Sequence, residues 1–388
     1  MEETIPIGRI AGIRVGANWS LLVVFFLVAW GLANGLASDY PGHADGTYWV
    51  VGVIAALVFY GALLAHELGH AVIARRQGVP VEGITLWLFG GVTRMRGEAS
   101  SPRGALHLAL VGPLVSLGAA ALFGVLALAF DLFRAPALIE GTTRWLARIN
   151  LVLAVFNLVP AAPLDGGRVL QAVLWRRRGD RLAASVTAAR AGRAFGYVLM
   201  GLGALDIVAG VGTGGLWFVL LGWFLVSAAR AEQAGAQTRT LLQDVRVADV
   251  MTPQAVVVPG WITVDAFVED YVRRHRARVF PVESFDGTLV GVLTLDALKQ
   301  VPPHRRASVR VVDVAVPAED VLTAHPDEMV LDLLERVGPA AGGRALVVDD
   351  ARVVGIVSPG DVARALEVGA ALAGGDHRPA RRSEWTSR

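Results

Sequence analysis

The residues best equipped for chemistry are His66-Glu67-Leu68-Gly69-His70, at the end of a long apolar stretch. On a helix, residues four apart share a face, so both imidazoles reach one Zn²⁺, and Glu67 beside them is placed to take a proton from water that the metal activates. Chance spacing at a solvated helix end is the bland alternative, and it is weak here because ionisable side chains inside a membrane segment are costly and mark function. A catalytic zinc takes three protein ligands and keeps one position open, so a third donor at similar depth is required. The chain has no cysteine, which excludes disulfides and thiolate ligands and leaves His, Asp or Glu. Asp165, in Leu164-Asp165-Gly166-Gly167, is the best candidate; taken alone it reads as an interfacial turn after a proline-broken helix.

Those residues need elements to hold them. The 388-residue chain is 54% apolar and 18% charged, with mean hydropathy +0.51, against about 25% charged in a typical soluble domain. A spanning helix takes about 20 predominantly apolar residues, and six stretches qualify: 19–37, 49–73, 105–130, 146–164, 194–211 and 215–229. A signal-peptide reading of the first yields to its length and to the five that follow. With the N-terminus inside, the inner segments carry fourteen arginines, among them Arg9, Arg14, Arg75, Arg76 and Arg176 to Arg178, and the outer loops three, Arg134, Arg144 and Arg148. That asymmetry predicts a multi-pass protein with both termini cytoplasmic. The Ala, Gly and Arg bias suggests a bacterial gene, hence the plasma membrane. The Gly112-Pro113 pair interrupts the third stretch and predicts a kink or close helix packing; His107, Asn150 and Asp206 read as interfacial or packing residues. Residues 83–96 are too short to span and predict a strand pair dipping into the interface, whose edge could hold an extended substrate or anchor to the bilayer. A net charge of +2 and a single lysine, Lys299, provide no basic arm for nucleic acid.

After residue 245 the composition becomes that of a soluble α/β domain with an internal repeat. Val245 to Val250 recurs 64 residues later as Val309 to Val314, and Gly291-Val292-Leu293-Thr294 recurs at the same offset as Gly355-Ile356-Val357-Ser358. Two matches at one offset indicate duplication. The expected division is therefore a membrane domain over 1–230, a linker over 231–244, repeats over 245–302 and 309–368, and a disordered tail over 369–388.

The two polar motifs together resemble the site-2 protease family of intramembrane zinc metalloproteases. That resemblance covers residues 5 to 230 and implies a helical membrane fold in which His66, His70 and Asp165 bind one zinc per chain, Glu67 is the general base, and Asn157 contacts the scissile carbonyl. An asparagine in a helix can also simply bond a neighbouring helix. The resemblance further implies membrane-embedded substrates, such as a single-pass anti-sigma factor, cleaved after local unwinding of their helix. The repeats resemble a tandem pair of CBS domains, which implies an adenine nucleotide held by Ser358 and Asp361 in the second repeat. In the first, Thr294 and Asp296 only approximate the pattern, being two positions apart rather than three, and a dimerising role without ligand stays open. The rivals are a CBS-gated transporter, in which charges would spread over several helices, and a catalytically silent scaffold, against which the retention of Glu67 speaks.

Overall fold

In a bilayer every backbone polar group must be satisfied within its own element, so long apolar runs become helices. The computed structural model describes residues 4–374 apart from residues 98, 211–213, 254, 276, 338–343 and 351. Its first seven helices are α1 (Ser20–Asp39), α2 (Asp45–Arg76), α3 (Pro102–Leu132), α4 (Ala137–Asn157), α5 (Asp165–Arg178), α6 (Arg181–Ala209) and α7 (Gly214–Leu242). Among the described residues five of these, α1, α2, α3, α6 and α7, are long and apolar enough to cross a membrane. The fourth apolar stretch departs from expectation. Its helix starts nine residues earlier, at Ala137, and stops at Asn157 rather than 164, because Pro160 and Pro163 cannot continue it. The earlier start brings in Glu140 and Arg144, which form an ion pair one turn apart.

The strand pair is present as β3 (Val81–Trp87) and β4 (Gly90–Met95), but it is half of a larger sheet. An N-terminal hairpin, β1 (Ile5–Ile10) and β2 (Ile13–Ala17), completes it in the order β1-β2-β3-β4. Strands β2 and β3 run parallel, with Val15 opposite Ile84, a pairing that needs a long connection such as the one α1 and α2 provide. One face of the sheet is apolar and seats Ile13, Ile84 and Leu86 against Leu63 and Ala71 of α2. The sheet thus takes its position from the helix that carries the histidines.

The chain divides after Ala236 into two compact units. The second contains β5 (Thr252–Pro253), β6 (Val258–Pro259), β7 (Val279–Glu283), β8 (Leu289–Thr294), β9 (Val316–Pro317), β10 (Thr323–Ala324), β11 (Ala345–Asp349) and β12 (Arg352–Val357). They form two sheets, β6-β7-β8-β9 and β10-β11-β12-β5. Each repeat lends its short lead-in strand to the other's sheet: Gly291 pairs Pro317 and Gly355 pairs Pro253, the same contact displaced by the repeat length. The final helix, Pro359–Gly374, occupies the beginning of the expected disordered tail, and residues 375–388 lie outside the described residues. The first repeat's core centres on Phe267 and Phe280, both fully buried, with rings 4.9 Å apart at 87°.

Removing a buried phenylalanine costs about 3–5 kcal/mol. Phe280→Ala is therefore expected to raise amide hydrogen exchange across β7 and β8 more than a hundredfold while α2 keeps its protection, read segment by segment by mass spectrometry.

Candidate metal centre

His66 and His70 sit one turn apart on α2, 3% and 5% exposed. Their Nε2 atoms are 3.2 Å from each other, and Asp165 Oδ2 lies 3.2 Å from the first and 3.3 Å from the second. Zinc bonds of about 2.0–2.1 Å in tetrahedral geometry require donor separations of about 3.3 Å, and all three edges of this triangle fit. Among the described residues this is the one group of His, Cys, Asp or Glu able to hold a metal.

The far side of each ring is held by α3. His70 Nδ1 donates to the Leu108 carbonyl at 2.8 Å, and His66 Nδ1 lies 2.9 Å from the fully buried Ser116 hydroxyl. The Leu108 carbonyl requires the His70 proton on Nδ1, which turns that ring's Nε2 lone pair towards Asp165, and the Ser116 hydroxyl can accept from His66 Nδ1 to hold the same tautomer there. Three such atoms converging at these distances form a donor set that suits a cation. Both orienting groups belong to α3, which runs as one helix through Pro113. The residue before it has to be glycine: a Cβ on Gly112 would stand 2.2 Å from His70 Nε2 and 2.5 Å from His66 Nε2.

Asp165 comes from another part of the chain. After α4 the backbone doubles back and α5 begins at Asp165. Side chains at Gly166 and Gly167 would drive into the Leu158 and Val159 carbonyls and the Ala162 nitrogen, each at 2.3 Å. The two glycines let the turn pack on itself, and that packing delivers the carboxylate to the histidines. The Gly179 cap, in the left-handed region, closes α5 through its N–H to the Trp175 carbonyl.

Glu67 is 8% exposed, and its Oε2 accepts a 2.7 Å hydrogen bond from the Thr93 hydroxyl on β4. Thr93 and Ser116 were not found from the sequence; Ser116 stands in an apolar run, whereas Thr93, beside Arg94, has no such setting. Asn157 is the last residue of α4 and half-buried, and among the described residues its side chain makes no hydrogen bond. Asn150 is fully buried, and its amide donates to the Leu146 carbonyl at 2.8 Å, a packing role.

The candidate nucleotide residues are placed differently. Ser358 precedes the final helix, and its N–H and hydroxyl both donate to Asp361 Oδ2, at 2.9 and 2.6 Å, while Thr252 donates to Oδ1 at 2.9 Å. This is a helix cap, so the motif also has a local structural use. In the first repeat Thr294 caps the following helix by accepting from the Ala297 N–H at 3.1 Å. Asp296 turns outward to Lys299, 2.7 Å away, whose ammonium holds the carboxyl below its ordinary range.

The sequence profile of peptidase family M50 matches residues 54–144 and 134–200, and that of the CBS domain matches residues 311–368. Rip3 of Mycobacterium tuberculosis, named as a zinc metalloprotease, is 47% identical over 369 residues, 95% of this chain and 94% of its own. A protein of Synechocystis with the same designation is 31% identical over 96% of this chain and 97% of its own. Among solved structures, the site-2 protease of Methanocaldococcus jannaschii is similar at 27% identity, covering 59% of this chain and 94% of that one with a TM-score of 0.42.

The Gly112 contact yields a sharp test. Gly112→Ala is expected to displace both imidazoles and reduce bound zinc, measured by plasma mass spectrometry, to well under one per chain. Gly118→Ala, where nothing lies within 4 Å of the added carbon, is expected to keep it.

Proposed function

We propose that this chain, which belongs to peptidase family M50, the site-2 proteases, and is an intramembrane zinc metalloprotease with a CBS domain, holds its zinc on His66, His70 and Asp165 and uses Glu67 as general base. The observation that carries the assignment is the triangle of three donors with edges of 3.2 to 3.3 Å beside a buried glutamate. When bound, zinc supplies the Lewis acidity that polarises the scissile carbonyl and the attacking water. Glu67 takes the proton of that water and returns it to the leaving amine. Thr93 fixes the carboxylate on one oxygen and leaves the other for the proton. The amide of Asn157 is assigned to the scissile carbonyl, consistent with its having no other hydrogen bond among the described residues.

A helical substrate hides its carbonyls in internal hydrogen bonds and must be extended before attack. Strand β4 is the outer strand of its sheet, so an unwound segment can add to it and meet Glu67 through the same strand that holds Thr93. The arginine asymmetry supports a bacterial plasma-membrane location with both termini cytoplasmic. The substrate class is a single-pass regulator of the anti-sigma-factor kind. The transporter alternative is not favoured, because the buried ionisable groups of the described membrane unit converge on one centre.

The repeats, over 245–302 and 309–368, act in this reading as a regulatory pair that can also dimerise, with one adenine-nucleotide site involving Ser358 and Asp361. A ligand there alters cleavage only by binding two conformations of the pair unequally.

Two outcomes are expected. Glu67→Gln keeps about one zinc per chain and loses at least 10³-fold in cleavage rate, a loss of about 4 kcal/mol in transition-state stabilisation, whereas Asp165→Ala loses metal and activity together; cleavage at the native rate by Glu67→Gln overturns the mechanism. In titration calorimetry of the full chain, ATP, ADP or AMP binds, Asp361→Ala abolishes binding and Asp296→Ala leaves it. Silence toward all three nucleotides at millimolar concentration overturns the nucleotide assignment.

A further inference from the structure

The sheet that presents Thr93 to Glu67 has a second face, and that face is cationic. Paired residues on neighbouring strands project to the same side. The row Val15, Ile84, Thr93 faces α2. The next row projects the other way and contains Arg9 opposite Arg14, then Gly83 opposite Arg94. Gly83 lies against Arg14, where a Cβ would stand 3.1 Å from the Arg14 carbonyl.

Between these arginines lies a hollow of about 530 Å³ whose lining includes Arg9, Arg14, Arg94 and Arg96, with Glu82 as the one carboxylate among the described lining residues. Glu82 Oε1 is engaged by Arg96 Nε at 2.5 Å. Like charges directly across a ladder are destabilising, so the Arg9 and Arg14 pair calls for an anion. Guanidinium forks match the oxygens of a phosphate two at a time.

The surroundings identify the source of that phosphate. Strand β1 exposes Ile5, Ile7 and Ile10 at 38%, 55% and 40%, and Trp19 is 62% exposed at the start of α1. An apolar edge flanking a cationic hollow, on a sheet fixed to spanning helices, is how a protein meets the boundary between acyl chains and headgroups. The hairpin tip is tied to the end of a spanning helix, since Arg75 of α2 donates to the Ala11 carbonyl at 2.8 Å. We propose that this concavity binds the phosphate of an anionic phospholipid headgroup, and so fastens the active-site sheet to the membrane surface.

Native mass spectrometry of the detergent-purified full chain, with phosphatidylglycerol or phosphatidylcholine added, tests this. The wild type is expected to retain phosphatidylglycerol selectively. Arg9→Gln with Arg14→Gln should weaken retention roughly thirtyfold, taking the usual contribution of a basic residue at an anionic surface for each, with zinc content unchanged. Arg14→Lys, which keeps charge but not the fork, should weaken it severalfold. Arg176→Gln with Arg177→Gln, at the end of α5, should leave it intact. Equal retention of the two lipids, or undiminished retention by the Arg9 and Arg14 double variant, overturns the proposal. Complete displacement of the lipid by millimolar inorganic phosphate, or by an acidic peptide, assigns the hollow to that anion instead and overturns the lipid reading.

Discussion

Two imidazole nitrogens and a carboxylate oxygen held within 3.3 Å of one another in a low-dielectric interior suit a cation, and the first unit of this protein is arranged to keep them there. Two imidazoles and a carboxylate would otherwise scatter to separate partners. They are prevented because each ring is clamped on its far side by α3, through Ser116 and the Leu108 carbonyl, and because the carboxylate rides on a turn packed too tightly for any side chain but hydrogen at Gly166 and Gly167. Helix α3 also supplies the clearance, at Gly112. A metal site needs its outer partners as much as its ligands; here those partners and the free space beside the donors come from one helix.

The sheet serves the same centre from the other side. Strand β4 reaches Glu67 through a single hydroxyl, and the strand is oriented by β3, which is held parallel to β2. A short strand at a membrane surface is weakly specified alone. Four strands with one face buried on α2 have a defined register, because a slip by one residue would turn Ile84 outward and Arg94 inward.

What could be read beforehand follows from this arrangement. His66, Glu67 and His70 were legible because ionisable residues in an apolar run announce themselves and their spacing is local. Asp165 was legible once a third donor was demanded. The Gly112-Pro113 interruption was visible, although its consequence for the imidazoles depends on a contact across some forty residues of chain. Thr93 left no local pattern and Ser116 only a lone hydroxyl in an apolar run, since a hydroxyl gains its meaning from a partner that only folding supplies. The N-terminal hairpin was missed for a related reason: Ile5 to Ala17 is short, and its place is fixed by pairing with a strand more than sixty residues later. The fourth apolar stretch was misplaced because hydropathy does not register that Glu140 and Arg144 neutralise each other within a helix. In the repeats, Ser358 and Asp361 carry a pattern that a helix cap also uses, so one set of atoms supports two readings.

The exchanged lead-in strands of the second unit bear on heredity. Because β5 completes the sheet of the second repeat and β9 that of the first, either half alone would carry an unpaired strand edge. Once duplication had been followed by this exchange, a deletion of either copy would remove part of the survivor's sheet as well. The pair is thereby inherited as one indivisible piece, and substitutions in one copy are selected against the background of the other.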